Sequence, residues 1–172
     1  MELLAKRLIR DVKDFPKEGI VFKDINPVME DAAAFREVID RMLDYARTLQ
    51  VDAIAGIESR GFMFGAPLAL ALNVGFVPVR KLGKLPGETL RAEYALEYGT
   101  NTVEMQKGAV KPGQRVLIVD DLLATGGTAA AAAELIDKLG GDVAGMVFMV
   151  ELGFLNGREA LKGFELHSLI EY

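Results

Sequence analysis

The chain has 172 residues, 51% of them hydrophobic, a formal net charge of −5 and no cysteine. That length suits one domain with a substantial core, and the apolar content excludes disorder. Without cysteine there is no disulfide framework, thiolate nucleophile or thiolate metal site, and the acidic balance gives no pull toward nucleic acid or an anionic membrane.

In chain order, Glu2 to Ile9 reads as a short amphipathic helix; its charges stand where a secretory signal needs an apolar core. Asp14 to Glu30, with Pro16, Gly19 and Pro27, reads as irregular. Asp31 caps a helix running to about Leu49, with Phe35, Val38, Ile39, Met42 and Leu43 on one face. Val51 to Ile57 is a strand, and Glu58-Ser59-Arg60-Gly61 turns into the next helix. The uncharged run Gly61 to Val79 is long enough to raise a membrane question, but Pro67, Asn73, Gly75 and Pro78 divide it into a helix, Phe62–Leu72, and a strand, Gly75–Val79. Arg80 to Arg91 is charged, holds Gly83, Pro86 and Gly87, and reads as a long mobile loop. Tyr94 to Met105 returns as a hairpin, and Lys111-Pro112-Gly113 turns into the strand that carries the main motif. Beyond it come an alanine-rich helix, Ala129 to Leu139, ended by Gly140-Gly141, a buried strand, Val143 to Val150, and a last edge strand, Leu166 to Ile170. The alternation gives an α/β fold with a mostly parallel twisted sheet flanked by helices, in a soluble, cytoplasmic protein.

Residues 116–128, Val-Leu-Ile-Val-Asp-Asp-Leu-Leu-Ala-Thr-Gly-Gly-Thr, carry the most chemistry. An apolar strand ends in Asp120 and Asp121, and a glycine-bearing turn opens the next helix. The amides of Ala124, Thr125, Gly126, Gly127 and Thr128 suit a phosphate at a helix N-terminus. Two carboxylates repel a phosphate, so they face something else, and adjacent sugar hydroxyls fit. A ribose 5-phosphate satisfies both halves. The motif is neither a Walker loop nor a dinucleotide fingerprint. Elsewhere, Arg60 in the turn after a strand grips a second anion or simply lies at a solvated helix start. Arg80, Lys81 and Lys84 form a glycine-hinged cationic lid or a solvated charge run. Phe22 stacks on a flat ring or fills the core. His167, the only histidine, has no catalytic role in this reading.

The 116–128 segment resembles the signature of the type I phosphoribosyltransferases. Taken with Phe15–Ile25, Glu58–Gly65, Arg80–Gly87 and Leu96–Gly99, in that order, it resembles the adenine-specific branch of that family over nearly the whole chain. The resemblance implies transfer of the phosphoribosyl group of phosphoribosyl pyrophosphate to adenine, giving AMP and pyrophosphate. It implies a small N-terminal hood over the base at about residues 10–30 and a lid at about 80–95 of a single domain. Ala124 to Thr128 would take the 5-phosphate, and Asp120 and Asp121 the ribose hydroxyls. Ser59 and Arg60 would take the pyrophosphate, with a cis peptide between them, and Arg80, Lys81 and Lys84 would approach it from the lid. Phe22 and Leu122 would sandwich adenine, whose edge the backbone of Val21 and Lys23 would read. Glu97 and Tyr98 would lie over the reaction centre. The resemblance further implies a homodimer, and Mg2+ carried by the substrate's pyrophosphate and waters with no metal ligand from the protein. Two alternatives share the fold: a xanthine or guanine phosphoribosyltransferase, and a ligand-sensing regulator. A regulator needs a DNA-binding module, and no basic helix-turn-helix precedes the sheet here.

Overall fold

In a computed structural model that describes residues 2–96 and 99–172, the chain divides into two compact units, 1–41 and 42–172. The first holds α1 (Leu4–Leu8), an antiparallel hairpin of β1 (Arg10–Lys13) and β2 (Val21–Asp24), α2 (Asn26–Glu30) and the start of α3 (Ala32–Thr48). The hairpin and α2 correct the irregular reading of 14–30. Four-residue strands are too short to show an alternating pattern, and the local signals are turn signals. Asp14 (φ 55°) and Gly19 (φ +84°) both turn left-handed, and the Gly19 N–H donates to Asp14 Oδ1 at 2.8 Å, which closes the connection. The ion pairs Arg10–Asp24 (2.8 Å) and Lys23–Asp11 (2.6 Å) link the two strands, and Phe15 meets Phe22 edge-on at 5.1 Å. Pro27 falls in the first turn of α2, where its missing N–H costs nothing. Asp31 caps α3 as its sequence position predicts, accepting from the N–H groups of Ala33 (3.0 Å) and Ala34 (2.9 Å).

The second unit is built on a seven-stranded mixed sheet with helices over it. Its strands are β3 (Ala53–Ile57), β4 (Gly75–Lys81), β5 (Thr89–Leu96), β6 (Gly99–Gln106), β7 (Arg115–Leu123), β8 (Asp142–Glu151) and β9 (Leu166–Glu171). Their order is β5-β6-β4-β3-β7-β8-β9. Strands β4, β3, β7, β8 and β9 are parallel, and the β5–β6 hairpin adds antiparallel to β4. Every residue of β3 is buried, as a parallel strand covered on both faces requires. α4 (Arg60–Leu72) carries the chain from β3 to β4 on one side, and α5 (Gly127–Lys138) carries it from β7 to β8 on the other. Right-handed crossovers in opposite directions put the two helices on opposite faces. Side-chain alternation agrees. Ala53, Ala55 and Ile57 share a core with Ala129, Ala132, Leu135 and Ile136 of α5, whereas Ile54 and Gly56 lie under Gly65 of α4. The strand order therefore reverses between β3 and β7, and a crevice opens there beyond their carboxyl ends.

Two boundaries differ from the sequence reading. β7 runs through the acidic pair to Leu123 instead of ending at it, because Leu122 and Leu123 continue the ladder with Val150 and Glu151 of β8. The segment read as a loop over 80–91 is shorter. Arg80 and Lys81 end β4, pairing with Glu104 and Val103, and Thr89 already begins β5. Charge and glycine mask the strand ends there. Among the described residues no helix is long and apolar enough to cross a membrane.

Gly61 decides how closely α4 approaches β7. A Cβ there would lie 2.7 Å from the Val119 carbonyl oxygen and 2.9 Å from Asp120 Oδ1. Gly61→Ala is therefore expected to lower stability by about 1–3 kcal/mol, although alanine is the better helix former. Calorimetry checks this: Tm should fall by several degrees, at roughly 2–4 °C per kcal/mol for a chain of this size. An unchanged or higher Tm would mean that the helix shifts without cost.

Candidate active site

The crevice holds a cavity of about 440 Å³ lined by the ends of β3, β7 and the β5–β6 hairpin. Glu58, Ser59 and Arg60 come from the turn after β3, and Asp120, Asp121 and Leu122 from β7. Thr128 comes from the first turn of α5, and Lys81, Tyr94 and Asn101 from β4, β5 and β6. The sequence brings these together by one device: each parallel strand delivers its polar residues at its carboxyl end. Tyr94 and Asn101 are partners across the hairpin, so both present the same face.

The two carboxylates of the pair differ. Asp121 is 5% exposed and forms an ion pair with Arg60, Nε to Oδ2 at 2.8 Å. Asp120 Oδ1 accepts the backbone N–H of Asp121 at 2.9 Å. Burial, then the neighbouring Asp121 charge, pushes the Asp120 carboxyl well above the usual carboxylate range; Arg60 pulls the other way. Asp120 nevertheless touches the cavity, so a ligand's hydroxyl can reach it.

Beyond the pair, Ala124 to Thr128 turn around a smaller cavity of about 70 Å³, which Asp120, Leu122 and Phe148 also line. Gly126 has φ +84°, closed to most side chains, and immediately precedes α5. The first amides of α5 and its dipole therefore converge on this space. The loop is backed by a 3₁₀ turn, Gly157–Leu161: a Cβ on Gly126 would run into the Gly157 carbonyl, and one on Gly157 into the Ala124 carbonyl. Arg158, next to Gly157, holds Glu151 with two 2.7 Å hydrogen bonds and ties that turn to the end of β8.

The remaining predicted residues fall in several places. Ser59 and Arg60 line the main cavity, with the cis peptide between Glu58 and Ser59, one bond earlier than expected. Lys81 lines the cavity. Arg80 does not; its Nε donates to Glu58 Oε2 (2.7 Å) and its Nη1 to the Lys84 carbonyl (3.2 Å). Lys84 is exposed and also stands outside the lining. Val21, Phe22 and Lys23 form β2 in the first unit, with the Lys23 ammonium on Asp11. Glu97 and Tyr98 lie outside the described residues. His167, on β9, stacks on Tyr45 at 4.8 Å and takes no part in the cavity; burial, helped by Glu165, pushes the Tyr45 hydroxyl up to about 12. Sequence reasoning gave no role to Glu58, Tyr94 and Asn101, which also line the cavity. Only Glu58, beside Ser59 and Arg60 at a strand end, had a signal in the sequence.

A glycine-bearing loop at a helix N-terminus, an acidic pair on the preceding strand and an arginine-bearing turn surround one crevice, the arrangement of a phosphoribosyltransferase site. The phosphoribosyl transferase domain model matches residues 27–157, and the chain belongs to that family. Within it, the chain is 53% identical to the adenine phosphoribosyltransferase of Halothermothrix orenii over 171 residues, 99% of each chain. It is 56% identical to that of Acetivibrio thermocellus over the full length of both. The crystal structure of adenine phosphoribosyltransferase from Thermoanaerobacter pseudethanolicus superposes with a TM-score of 0.95 at 56% identity, covering 98% of each chain.

The raised Asp120 carboxyl has a stability consequence. An acid held above its unfolded value destabilises the fold once it ionises, so stability is lost as pH rises from about 4 through the folded value. Asp120→Asn keeps the acceptor for the Asp121 N–H. It is expected to raise Tm at pH 7–8, to raise it less near pH 4, and to cut turnover. Thermal melts at both pH values, paired with an activity assay, read this. A lower Tm at pH 7–8 would overturn the assignment.

Proposed function

We propose that the chain transfers the 5-phosphoribosyl group of phosphoribosyl pyrophosphate to adenine, giving AMP and pyrophosphate in purine salvage. The observation that carries this is the continuous run of β7, acidic pair, phosphate loop and α5, with Arg60 ion-paired to Asp121. Support comes from relatives: the Saccharomyces cerevisiae adenine phosphoribosyltransferase, 45% identical, is complexed with adenine and an iminoaltritol bisphosphate. The Trypanosoma brucei enzyme is in complex with AMP, pyrophosphate and ribose-5-phosphate.

In this reading N9 of adenine attacks the anomeric carbon as the bond to pyrophosphate breaks, and the ring N–H proton of adenine is released to solvent. Ala124 to Thr128 anchor the 5-phosphate. Asp120 and Asp121 hold the ribose hydroxyls and favour the positive charge that develops on the sugar. Ser59, Arg60 and Lys81 face the departing pyrophosphate. Arg80 and Lys84, which stand outside the cavity lining, approach it from the lid side. Val21, Phe22, Lys23 and Leu122 keep the base-binding roles the resemblance implies, and Glu97 and Tyr98 complete the reaction centre. Among the described residues no group of three or more His, Asp or Glu is arranged to hold a metal. Mg2+ would arrive on the substrate's pyrophosphate and supply charge neutralisation there. A homodimer working in the cytoplasm belongs to the same reading.

Two outcomes test it. AMP should form from adenine, with hypoxanthine, guanine and xanthine poor by orders of magnitude. A backbone acceptor set for the 6-amino group would face a 6-oxo carbonyl, at a cost of roughly 1–3 kcal/mol per unsatisfied group. A base-exchange assay with the four purines decides; comparable rates with hypoxanthine would sink the adenine assignment. Thr128→Ala should weaken phosphoribosyl pyrophosphate binding by roughly 10- to 150-fold, the loss of one hydrogen bond to a charged group. Calorimetric titration should show this with adenine affinity unchanged; unaltered phosphoribosyl pyrophosphate affinity would contradict the placement.

A further inference from the structure

Glu104 sits on β6 opposite Arg80 of β4 on one side and Arg91 of β5 on the other, and is 2% exposed. A carboxylate that deep needs partners; three of them are consecutive amides of one loop and two are side chains of β5. Its Oε1 accepts the successive backbone N–H groups of Gly83 (3.0 Å), Lys84 (3.2 Å) and Leu85 (3.1 Å). Its Oε2 accepts the Thr89 hydroxyl at 3.1 Å, with Arg91 Nε 3.8 Å away. Three consecutive amides aimed at one oxygen form an anion nest, and here the protein fills it with its own side chain. Burial alone would raise this carboxyl; the hydrogen bonds from Leu85, Thr89, Lys84 and Gly83 outweigh it and hold the group below its ordinary value, as a carboxylate.

A second carboxylate works from the opposite side. Glu58 Oε1 accepts the Lys81 N–H at 3.0 Å, and its Oε2 takes Arg80 Nε at 2.7 Å. Arg80 in turn donates to the Lys84 carbonyl. The backbone of Lys84 is thus held on both sides, its N–H by Glu104 and its carbonyl by Arg80. Arg80 is committed to this internal network, and Lys81 is the loop-side cation that lines the cavity.

We propose that Glu104 is a positioning residue for the transfer reaction: its buried carboxylate fixes the shape of the 82–88 loop before substrate arrives and so presents Lys81 to the pyrophosphate side of the cavity. This rests on the activity proposed above. The loop is then a preformed unit, and substrate need not order it residue by residue.

The test uses the full chain and the variants Glu104→Ala and Glu104→Gln. In substrate-free wild type, the amides of Gly83, Lys84 and Leu85 should exchange slowly with deuterium. In Glu104→Ala they should exchange about tenfold faster or more, while β3 and β7 stay as in wild type. In the same variant kcat should fall about tenfold and KM for phosphoribosyl pyrophosphate should rise, with KM for adenine within about twofold. Glu104→Gln keeps an acceptor oxygen and should recover part of each loss; it carries the test if the alanine variant does not fold. Unchanged exchange at 83–85 would show that the carboxylate does not hold the loop. Fast exchange with wild-type kinetic constants would show that loop shape is irrelevant to the reaction. A uniform rise in exchange with both KM values altered would mark a general structural role. If wild type forms no AMP from adenine, the activity reading fails, whereas the exchange comparison still reports the clamp.

Discussion

Asp121 is a nearly fully buried carboxylate on β7, an interior strand of a sheet covered on both faces, beside a second carboxylate whose charge it disfavours. Such a pair is a liability unless a cation is held close. The cation is Arg60, the first residue of α4. For its guanidinium to reach Asp121, α4 must begin almost in contact with β7, and Gly61 leaves the room for that approach. The electrostatic need of one strand thus fixes the start of a helix that follows a different strand. The crevice between β3 and β7 inherits its width from that contact. The site is an outgrowth of how the core is assembled, with no separate scaffold of its own.

The same logic explains why parallel strands dominate. Each brings one or two polar residues to the same end of the sheet, at positions the buried ladder holds rigidly. Asp120 on β7 and Glu58, the first residue past β3, follow neighbouring strands whose register is set residue by residue, Ala53 to Val116 through Gly56 to Val119. A loop-borne pair would have to find that geometry after folding; here the ladder supplies it.

Much of this was legible in the sequence, and the legible parts have a common character. The run 116–128, the Asp31 cap and the buried strands all express local rules: hydrophobic runs, a capping carboxylate, glycine where the chain turns left-handed. The hairpin of β1 and β2 was not legible, since four-residue strands offer too little periodicity and Pro16 and Gly19 spoke louder. The cationic segment was misread for a related reason. Its charges suggest a solvated loop, but Arg80 and Lys81 belong to β4, and what organises the rest is Glu104, about twenty residues downstream. No local pattern marks a carboxylate that serves distant backbone amides. Long-range polar pairing is what a single sequence hides best, and Tyr94 and Asn101, brought to the site by hairpin register, are hidden in the same way.

The contact between Gly126 and the Gly157 turn has a bearing on how such a site can be moved between proteins. The phosphate loop looks self-contained in sequence, a strand, five residues and a helix. Its rear wall is nonetheless backbone from beyond β8, pressed close enough that neither glycine tolerates a methyl group. That wall is itself moored by Arg158 and Glu151. The transplantable unit is therefore not the thirteen-residue motif of 116–128 but the whole run from β7 through the 3₁₀ turn at 157–161. A motif grafted without that wall would keep its glycines and lose the surface that shapes them. For the same reason, a side chain added at 126 or at 157 would meet backbone, which no substitution at the other position can clear.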